Sequence, residues 1–257
     1  MYTNTLINQT VIMISLMDSN MSHLPLYMQI KEALKKDILG GYYAPYQKMP
    51  SESELMSKFE VSRITVRQAL RDLHMEGLIF TSQGKGTFAS KPKATQDVKY
   101  LQGFAEAMVP KGYEASARLI SIREMSPSKE VKRNLGILAK ESVVEVVRVR
   151  YLNREAVSVD TSYFPLALGR KLFSKDMSGD IFPLLENELR IRLGHAEVTL
   201  EARPADANVA NLLGFEVASP IMWVQRLTHD INGNPVDFEY LAFRGDTYKY
   251  QFQIERT

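Results

Sequence analysis

The stretch from Pro50 to Ser90, PSESELMSKFEVSRITVRQALRDLHMEGLIFTSQGKGTFAS, predicts two short helices followed by a β-hairpin. Ser51 and Glu54 have the spacing of a capping box, in which each side chain bonds the other residue's backbone N–H at a helix start. Ser62 caps the second helix, and a glycine ends it. The glycines of QGKG, residues 83–86, permit the tight tip of a hairpin. This order of elements indicates a winged helix-turn-helix, whose second helix enters the major groove of DNA.

Each predicted helix has one apolar face. Apolar residues recur every four positions from Leu26 to Ile38, which predicts a first helix over Leu26–Leu39. On the helix after Ser62, an i, i+3, i+4, i+7 stripe faces the core: Val66, Ala69, Leu70 and Leu73. The arginines lie on the other side. A helix of about 14 residues is roughly 21 Å long, so its polar side fits a major groove about 12 Å wide.

The polar side of that helix and the hairpin tip carry the candidate DNA contacts. Arg63 and Arg67 are candidates for reading bases, because a guanidinium donates two hydrogen bonds to O6 and N7 of guanine. Ser62 and Thr65 can reach phosphate oxygens, as can the N–H groups at a helix start. Lys85 can approach the minor groove or the DNA backbone. The alternative is a solvated helix face, which the arginine spacing alone favours; the caps and the hairpin together favour DNA.

Composition limits the class of protein. With 257 residues, 45% of them apolar, the chain has room for about two domains. It has no cysteine, which excludes disulfides, thiolate metal sites and cysteine nucleophiles. No apolar run approaches the roughly 20 residues of a membrane helix, and we recognise no signal peptide, so we expect a cytoplasmic protein without a membrane partner. The net charge of +2 means that DNA binding depends on where the cations lie.

The chain divides into four parts. Residues 1–23 are an N-terminal extension, for which a disordered segment and an ordered arm are both open; a native start at Met17 or Met21 is a further alternative. The winged helix-turn-helix covers 24–90. Residues 91–98, KPKATQDV, are polar and contain proline, which predicts a linker. A second domain covers 99–257.

The second domain is rich in predicted strands. The clearest strands are Val143–Arg150, Val157–Tyr163, Ala196–Ala202, Ile221–Thr228 and Val236–Arg244. Their connections are too short for crossover helices, so we expect antiparallel pairing. A weak repeat supports this: Val131…Leu135-Gly136, before one apolar strand, recurs 78 residues later as Val209…Leu213-Gly214. Unless this repeat is chance, the domain is an α+β sheet with pseudo-duplicated halves.

The residues PSESELMSKFEVSRITVRQALRDL and the hairpin QGKGTF resemble the GntR family of bacterial transcription regulators. Looser motifs of the second domain are similar to the UTRA ligand-sensing domain of the family's HutC-type branch: Arg148-Val149-Arg150, Asp160–Pro165, Gly233–Val236 and Arg244–Tyr248. The resemblance covers about residues 24–257. It implies an antiparallel, chorismate-lyase-like α+β effector domain. It also implies a homodimer that binds double-stranded DNA at a pseudo-palindromic operator and a small metabolite, often a sugar phosphate, without a cofactor or metal.

The resemblance implies DNA contacts at nine positions: Ser53, Ser62, Arg63, Thr65, Arg67, Gln83, Gly84, Lys85 and Gly86. Ser53 departs from the family pattern, because many members carry arginine there. We therefore expect one DNA contact to be weaker or absent.

The implied effector site has ten residues: Phe104, Ala105, Arg148, Arg150, Asp160, Asp180, Phe182, Asp237, Glu239 and Phe243. Arg148 and Arg150 are two apart on a strand, so their side chains leave one face roughly 7 Å apart, which suits a phosphate or carboxylate. The alternative is an exposed strand face paired with acids such as Glu145 or Glu201.

Four of these positions depart from the family pattern. Ala105 lacks the hydroxyl that often follows Phe104, Asp180 and Phe182 stand where Ser and Tyr are common, and Phe243 replaces a frequent tyrosine. Losing hydroxyl donors and gaining a carboxylate both disfavour bound phosphate. The identity of the effector therefore stays open.

An enzyme is the main alternative from another class, because the implied fold also hosts a lyase. His195 and His229 are isolated in the sequence, and Glu197 with Glu201 gives no convincing acid/base pair. We find no metal-ligand spacing and no phosphate-binding loop. A second alternative, the family branch with an all-helical metal-binding sensor, is disfavoured by the strands after residue 140. The sequence therefore predicts a regulator and no enzyme.

Overall fold

The computed structural model describes residues 24–82, 84–90, 93–138 and 140–256. They form two compact units, which divide between Pro92 and Lys93. The predicted extension, residues 1–23, lies outside the described residues.

The first unit contains three helices and a hairpin: α1 Leu26–Leu39, α2 Glu52–Phe59, α3 Arg63–Met75, β1 Ile79–Ser82 and β2 Gly86–Ala89. The capping box of α2 forms, since the Ser51 N–H donates to Glu54 Oε2 at 2.7 Å and the Glu54 N–H donates to Ser51 Oγ at 3.3 Å. Ser62 Oγ likewise accepts the N–H of Thr65 at the start of α3. After α3 the chain reverses at Gly77, where φ is +72°. These local signals set where α2 and α3 begin and where α3 ends.

The hairpin is braced by a third extended segment. The Met49 N–H donates to the Thr87 carbonyl at 2.8 Å, and the Ala89 N–H donates to the Gln47 carbonyl at 2.9 Å. Apolar residues from all three helices bury together beneath it, among them Leu34, Leu55, Val66, Ala69 and Leu73. The predicted stripe of α3 thus packs inward, with Leu70 only partly buried. The arginine side of α3 is left in solvent.

The second unit alternates strands with short helices. In chain order these are β3 Ala94–Asp97, α4 Phe104–Met108, β4 Ala115–Met125, α5 Lys129–Leu135, β5 Val143–Leu152, β6 Glu155–Pro165, α6 Leu166–Gly169, α7 Ile181–Pro183, β7 Leu193–Pro204, α8 Ala207–Leu213, β8 Pro220–Asp230, β9 Pro235–Arg244 and β10 Tyr248–Gln251. Single helical turns follow α4, α6 and α7, at Val109–Lys111, Arg170–Ser174 and Leu184–Glu188. None of the described helices is long and apolar enough to cross a bilayer.

Six of these strands form one antiparallel sheet in the order β4-β5-β6-β9-β8-β7. The strand order is symmetric about the β6–β9 pair. Each half of the sheet consists of one strand, one helix and a hairpin of two strands: β4, α5 and β5-β6 in the first half, and β7, α8 and β8-β9 in the second. The helices of the two halves are also capped alike: Ser128 and Asp206 accept at the start, and Gly136 and Gly214 end them at φ of +63° and +69°. The predicted α+β fold is confirmed, and the 78-residue sequence repeat corresponds to a repeated structure.

The linker is shorter than we predicted. Ala94–Asp97 is a strand that pairs in parallel with Tyr248–Gln251, and the Ala94 N–H donates to the Thr247 carbonyl at 2.7 Å. Residues 93–98 therefore belong to the second unit instead of a linker over 91–98. The composition of KPKATQDV is that of a linker, but its strand partner lies more than 150 residues away in the sequence, where no local pattern reveals it.

Candidate functional site

The exposed side of α3 carries the predicted base-reading residues. Arg63 and Arg67 are both exposed, and so is Ile64 between them, at 82%. Arg67 Nε donates to Glu52 Oε1 on α2 at 3.0 Å, while 65% of the arginine side chain remains accessible. The ion pair therefore orients the guanidinium without hiding it. Apolar side chains such as Ile64 can contact thymine methyl groups in a major groove.

The hydroxyls of the first unit are partly engaged in helix capping. Ser62 Oγ and Thr65 Oγ1 lie 2.8 Å apart at the start of α3. Their shared hydrogen bond places two hydroxyls and the first N–H groups of α3 at one helix end, where phosphate oxygens bind well. Ser53 is exposed on α2, and its short side chain reaches less far than an arginine would.

The hairpin tip is shaped by glycines. Gly84 has φ of +74° and Gly86 has φ of +115°, conformations that side chains disfavour, and Lys85 between them is exposed. Gln83 lies outside the described residues. Lys48 of the bracing segment was missed by sequence reasoning: a Cβ on Gly86 would lie 3.0 Å from Lys48 Cε. Only the pairing of residues 47–49 with β2 brings this second cation to the hairpin.

In the second unit, the predicted arginines are buried. Arg148 is 1% exposed and Arg150 is 6% exposed, which rules out the exposed strand face. The acids considered as surface partners have other contacts: Glu145 accepts from Arg123 at 2.7 Å, and Glu201 accepts from Arg203 at 2.7 Å. Charged side chains are rarely buried unless they are paired, so the partners of Arg148 and Arg150 decide what this cluster does.

Arg150 is held by carboxylates and by an aromatic ring. Its Nε pairs with Asp160 Oδ2, its Nη2 lies 3.9 Å from Glu239 Oε1, and its guanidinium lies 5.2 Å from the centre of the Phe104 ring. Burial lowers the pKa of Arg150, but Asp160 and Glu239 more than offset this and raise it. The guanidinium is therefore charged. Arg148 Nη1 donates to the Gly179 carbonyl at 2.8 Å.

A third buried arginine, Arg226, was missed as a site residue. Its Nη2 donates to both Glu239 oxygens, at 2.8 and 3.0 Å, and its guanidinium lies 4.7 Å from the centre of the Phe182 ring. The sequence repeat could have indicated Arg226, because it relates this residue to Arg148. Arg148 faces Asp160 across β5 and β6, and Arg226 faces Glu239 across β8 and β9 in the same way.

Asp237 and Glu239 are neighbours on one face of β9, yet their pKa values shift in opposite directions. Burial raises the pKa of Asp237 well above its ordinary value, and the charge of Glu239 raises it further. Burial also raises the pKa of Glu239, but Arg226 and Arg150 outweigh it and the net shift is downward. Both Asp237 oxygens lack a hydrogen-bond partner among the described residues. The two shifts therefore favour the proton on Asp237 and the charge on Glu239.

Asp180 occupies the start of α4. Its Oδ2 accepts the N–H of Ala105 at 2.7 Å and the N–H of Glu106 at 3.1 Å. The cavity lined by Phe104, Ala105, Arg150 and Asp180 is only about 10 Å³. Four predicted effector residues thus line one small cavity. The backbone N–H groups beside it already donate to the carboxylate of Asp180.

The remaining predicted residue is part of an aromatic stack. Phe243 is buried and stacks on Tyr248 at 4.4 Å between ring centres, and Phe104 stacks on the same tyrosine at 5.9 Å. Tyr248 in turn donates to Gln96 Oε1 of β3 at 2.6 Å. Gln96 lies in the stretch that we predicted as linker, so it too was missed.

An exposed arginine helix beside a hairpin, together with a separate domain that buries charged side chains, defines a DNA-binding regulator with a sensor domain. The chain belongs to the GntR family of bacterial regulatory proteins: residues 26–89 match the model described as "Bacterial regulatory proteins, gntR family", and residues 111–249 match the UTRA domain. The predicted family, its HutC-type branch and a regulator instead of an enzyme are thereby confirmed.

Individual relatives cover nearly the whole chain. The HTH-type transcriptional repressor NagR of Bacillus subtilis is 33% identical over 91% of this chain and 97% of its own length. The mannosyl-D-glycerate transport/metabolism system repressor MngR of Escherichia coli is 26% identical over 92% of this chain and 98% of its own. The crystal structure of PhnF from Mycobacterium smegmatis superposes with a TM-score of 0.72 at 22% identity, covering 89% of this chain and 100% of that one. This structural likeness supports the fold.

Proposed function

We propose that the chain is a cytoplasmic, homodimeric repressor whose affinity for a pseudo-palindromic operator is set by a small polar metabolite. The observation that supports this proposal most strongly is that the two units place their charged side chains differently. One unit exposes Arg63, Arg67 and Lys85 on the elements that enter DNA grooves. The other buries three arginines together with their acids. The relatives NagR and MngR are both named as repressors.

The first unit supplies the contacts with DNA. Arg63 and Arg67 read bases from the major groove, and Ser62 and Thr65 bind phosphate at the start of α3. At the hairpin, Lys85 approaches the minor groove or backbone between Gly84 and Gly86, with Gln83 beside them. Ser53 makes at most a short contact from α2.

The second unit supplies the dimer contact. The outer strands β4 and β7 are 11 and 12 residues long. They expose apolar side chains, among them Leu119, Ile120, Val198 and Leu200. Long exposed edge strands invite pairing with another chain, and a second copy is the partner that also presents two recognition helices. Twofold symmetry then requires two related half-sites in the operator.

The charge of the buried cluster limits the effector. Burial raises the pKa of Asp160, and the charges of Arg150 and Arg148 oppose this. When Asp237 alone is protonated, the carboxylates of Asp160, Asp180 and Glu239 balance the charges of Arg148, Arg150 and Arg226, and the cluster is close to neutral. A dianionic phosphate gains little from a balanced cluster and must displace Asp180 from the N–H groups that it occupies. Ser162 and Thr228 have buried hydroxyls that lack partners among the described residues. Hydroxyl groups of a sugar-like metabolite match these polar atoms.

The proposal is tested by selecting binding sequences from a random DNA library with the full-length chain and measuring mass in solution. We expect imperfect palindromes, a dimer that binds one operator, and release of the operator by one member of a panel of sugars, sugar phosphates, amino acids and organic acids. A monomer that selects no common sequence at modest salt would contradict the proposal.

Asp180→Asn is expected to increase the affinity for phosphorylated sugars relative to their unphosphorylated forms. The substitution removes one negative charge beside Arg148 and Arg150 and keeps the shape of the side chain. Titration of matched pairs, such as a hexose and its phosphate, followed by calorimetry gives the ratio of affinities. The ratio of the affinity for the sugar phosphate to the affinity for the free sugar should rise at least tenfold, which corresponds to about 1.4 kcal/mol. Glu186→Gln, a change at an acid outside this cluster, is the control. An unchanged ratio would place the effector away from Asp180.

A further inference from the structure

Two histidines and a glutamate that are isolated in the sequence lie together at the outer edge of the sheet. His195 and Glu197 are on β7, and His229 is on the neighbouring strand β8. One ligand atom from each of the three side chains lies within 4.8 Å of the other two. The imidazole rings of His195 and His229 are stacked, with centres 4.5 Å apart and planes 7° apart.

An irregularity of the strand pairing creates this cluster. The register of β7 against β8 shifts between Leu193 and Ala196, so Gly194 and His195 form a bulge. A β-bulge changes the direction in which the neighbouring side chains point. The bulge also requires glycine, because a Cβ on Gly194 would lie 2.7 Å from the Asp230 carbonyl oxygen. His195 is thereby carried to the side of His229.

Neither histidine is among the buried core residues of the second unit. Nδ1 of His229 is buried and has no hydrogen-bond partner among the described residues. His195 and Glu197 are exposed, so neither is needed to fill the core. Histidine nitrogens and carboxylate oxygens are the usual ligands of Zn²⁺ where cysteine is absent.

We propose that His195, Glu197 and His229 form a binding site for a divalent transition-metal ion, for which Zn²⁺ is the probe. Bonds of about 2.0–2.2 Å from zinc to nitrogen and oxygen require the three atoms to approach one another from their present separation. The metal lies in the plane of each imidazole, so the two rings must rotate out of their stack. His195 and Glu197 are exposed and can turn toward the half-buried His229 without moving the strands, and water completes the tetrahedral shell.

The site borders a cavity of about 380 Å³ whose lining includes His195, Lys99 and Arg226. Arg226 is paired with Glu239, so its charge is compensated, and Lys99 is exposed. The three metal ligands are not residues of the effector cluster, although the adjoining cavity reaches Arg226, which belongs to that cluster. Zinc binding by these ligands does not depend on the function proposed above.

Calorimetric titration of the full-length, untagged chain with ZnCl₂ tests the site. We expect one zinc ion per chain, and an affinity at least about tenfold lower for the double variant His195→Ala/Glu197→Gln, whose side chains are exposed, and for His229→Ala. His74→Ala, which removes an exposed histidine of α3, is the matched control and should bind zinc like the unchanged chain. Circular dichroism checks that each variant is folded. Absence of binding at millimolar zinc, or equal affinity of the double variant and the unchanged chain, would overturn the proposal.

Discussion

Arg67→Ala is expected to lower the affinity for the specific operator by at least about 30-fold and to relax base preference at one position of each half-site. One bidentate contact between arginine and guanine is worth roughly 1–3 kcal/mol of discrimination, and a symmetric dimer makes the contact twice, which gives the 30-fold minimum. The loss has a second source, since removal of the guanidinium leaves Glu52 facing the DNA without its partner. Fluorescence anisotropy with operator and scrambled duplexes measures both affinities.

Three further variants distinguish a loss of base recognition from a loss of general electrostatic attraction to DNA. Arg67→Ala/Glu52→Gln removes the unpaired carboxylate, so it should recover part of the affinity and none of the base preference. Lys85→Ala should weaken binding to operator and scrambled DNA alike and reduce the slope of log affinity against log salt. Arg133→Ala, an exposed arginine of α5 in the other unit, should change neither. Equal losses of Arg67→Ala on both duplexes would show that Arg67 contacts phosphate only.

The first unit could be predicted almost completely because its signals are local. Ser51 with Glu54, the cap at Ser62 and the reversal at Gly77 act over three to five residues, and the structure contains each of them. What the sequence missed here depends on pairing across the fold. Lys48 approaches Gly86 only because residues 47–49 add to the hairpin, and nothing near Lys48 in the sequence marks it.

The second unit could be predicted where alternation or repetition was visible, and not elsewhere. Strand β4 is exposed along most of its length, so it shows no alternation of apolar and polar residues. Strand β3 has the composition of a linker. Arg226 and the pairing of His195 with His229 depend on which strands are neighbours, a property of the sheet order that local sequence does not contain.

The two acids of β9 should respond oppositely when each is made an amide. Glu239→Gln is expected to lower the free energy of unfolding at pH 7 by about 3–5 kcal/mol, because it leaves the buried Arg226 without its counter-charge. Burial and the charge of Glu239 favour the protonated form of Asp237, which an amide resembles, so the stability of Asp237→Asn at pH 7 should equal or exceed that of the unchanged chain. Urea denaturation followed by tryptophan fluorescence of Trp223, which lies in the same sheet, gives both values.

The two substitutions should change the free energy of unfolding with opposite dependence on pH. This dependence distinguishes an effect of protonation from an effect of packing. The folded pKa of Glu239 is lowered, so the stability it contributes is present above its ordinary pKa and is lost as pH falls through the folded value. The cost of Glu239→Gln therefore shrinks on acidification. The folded pKa of Asp237 is raised, so its contribution is full at acid pH and is lost as pH rises through the folded value. The advantage of Asp237→Asn therefore grows toward alkaline pH. A loss at pH 7 from Asp237→Asn as large as that from Glu239→Gln would mean that both acids are ionised, and the near-neutral charge balance that favours a sugar-like effector would no longer hold.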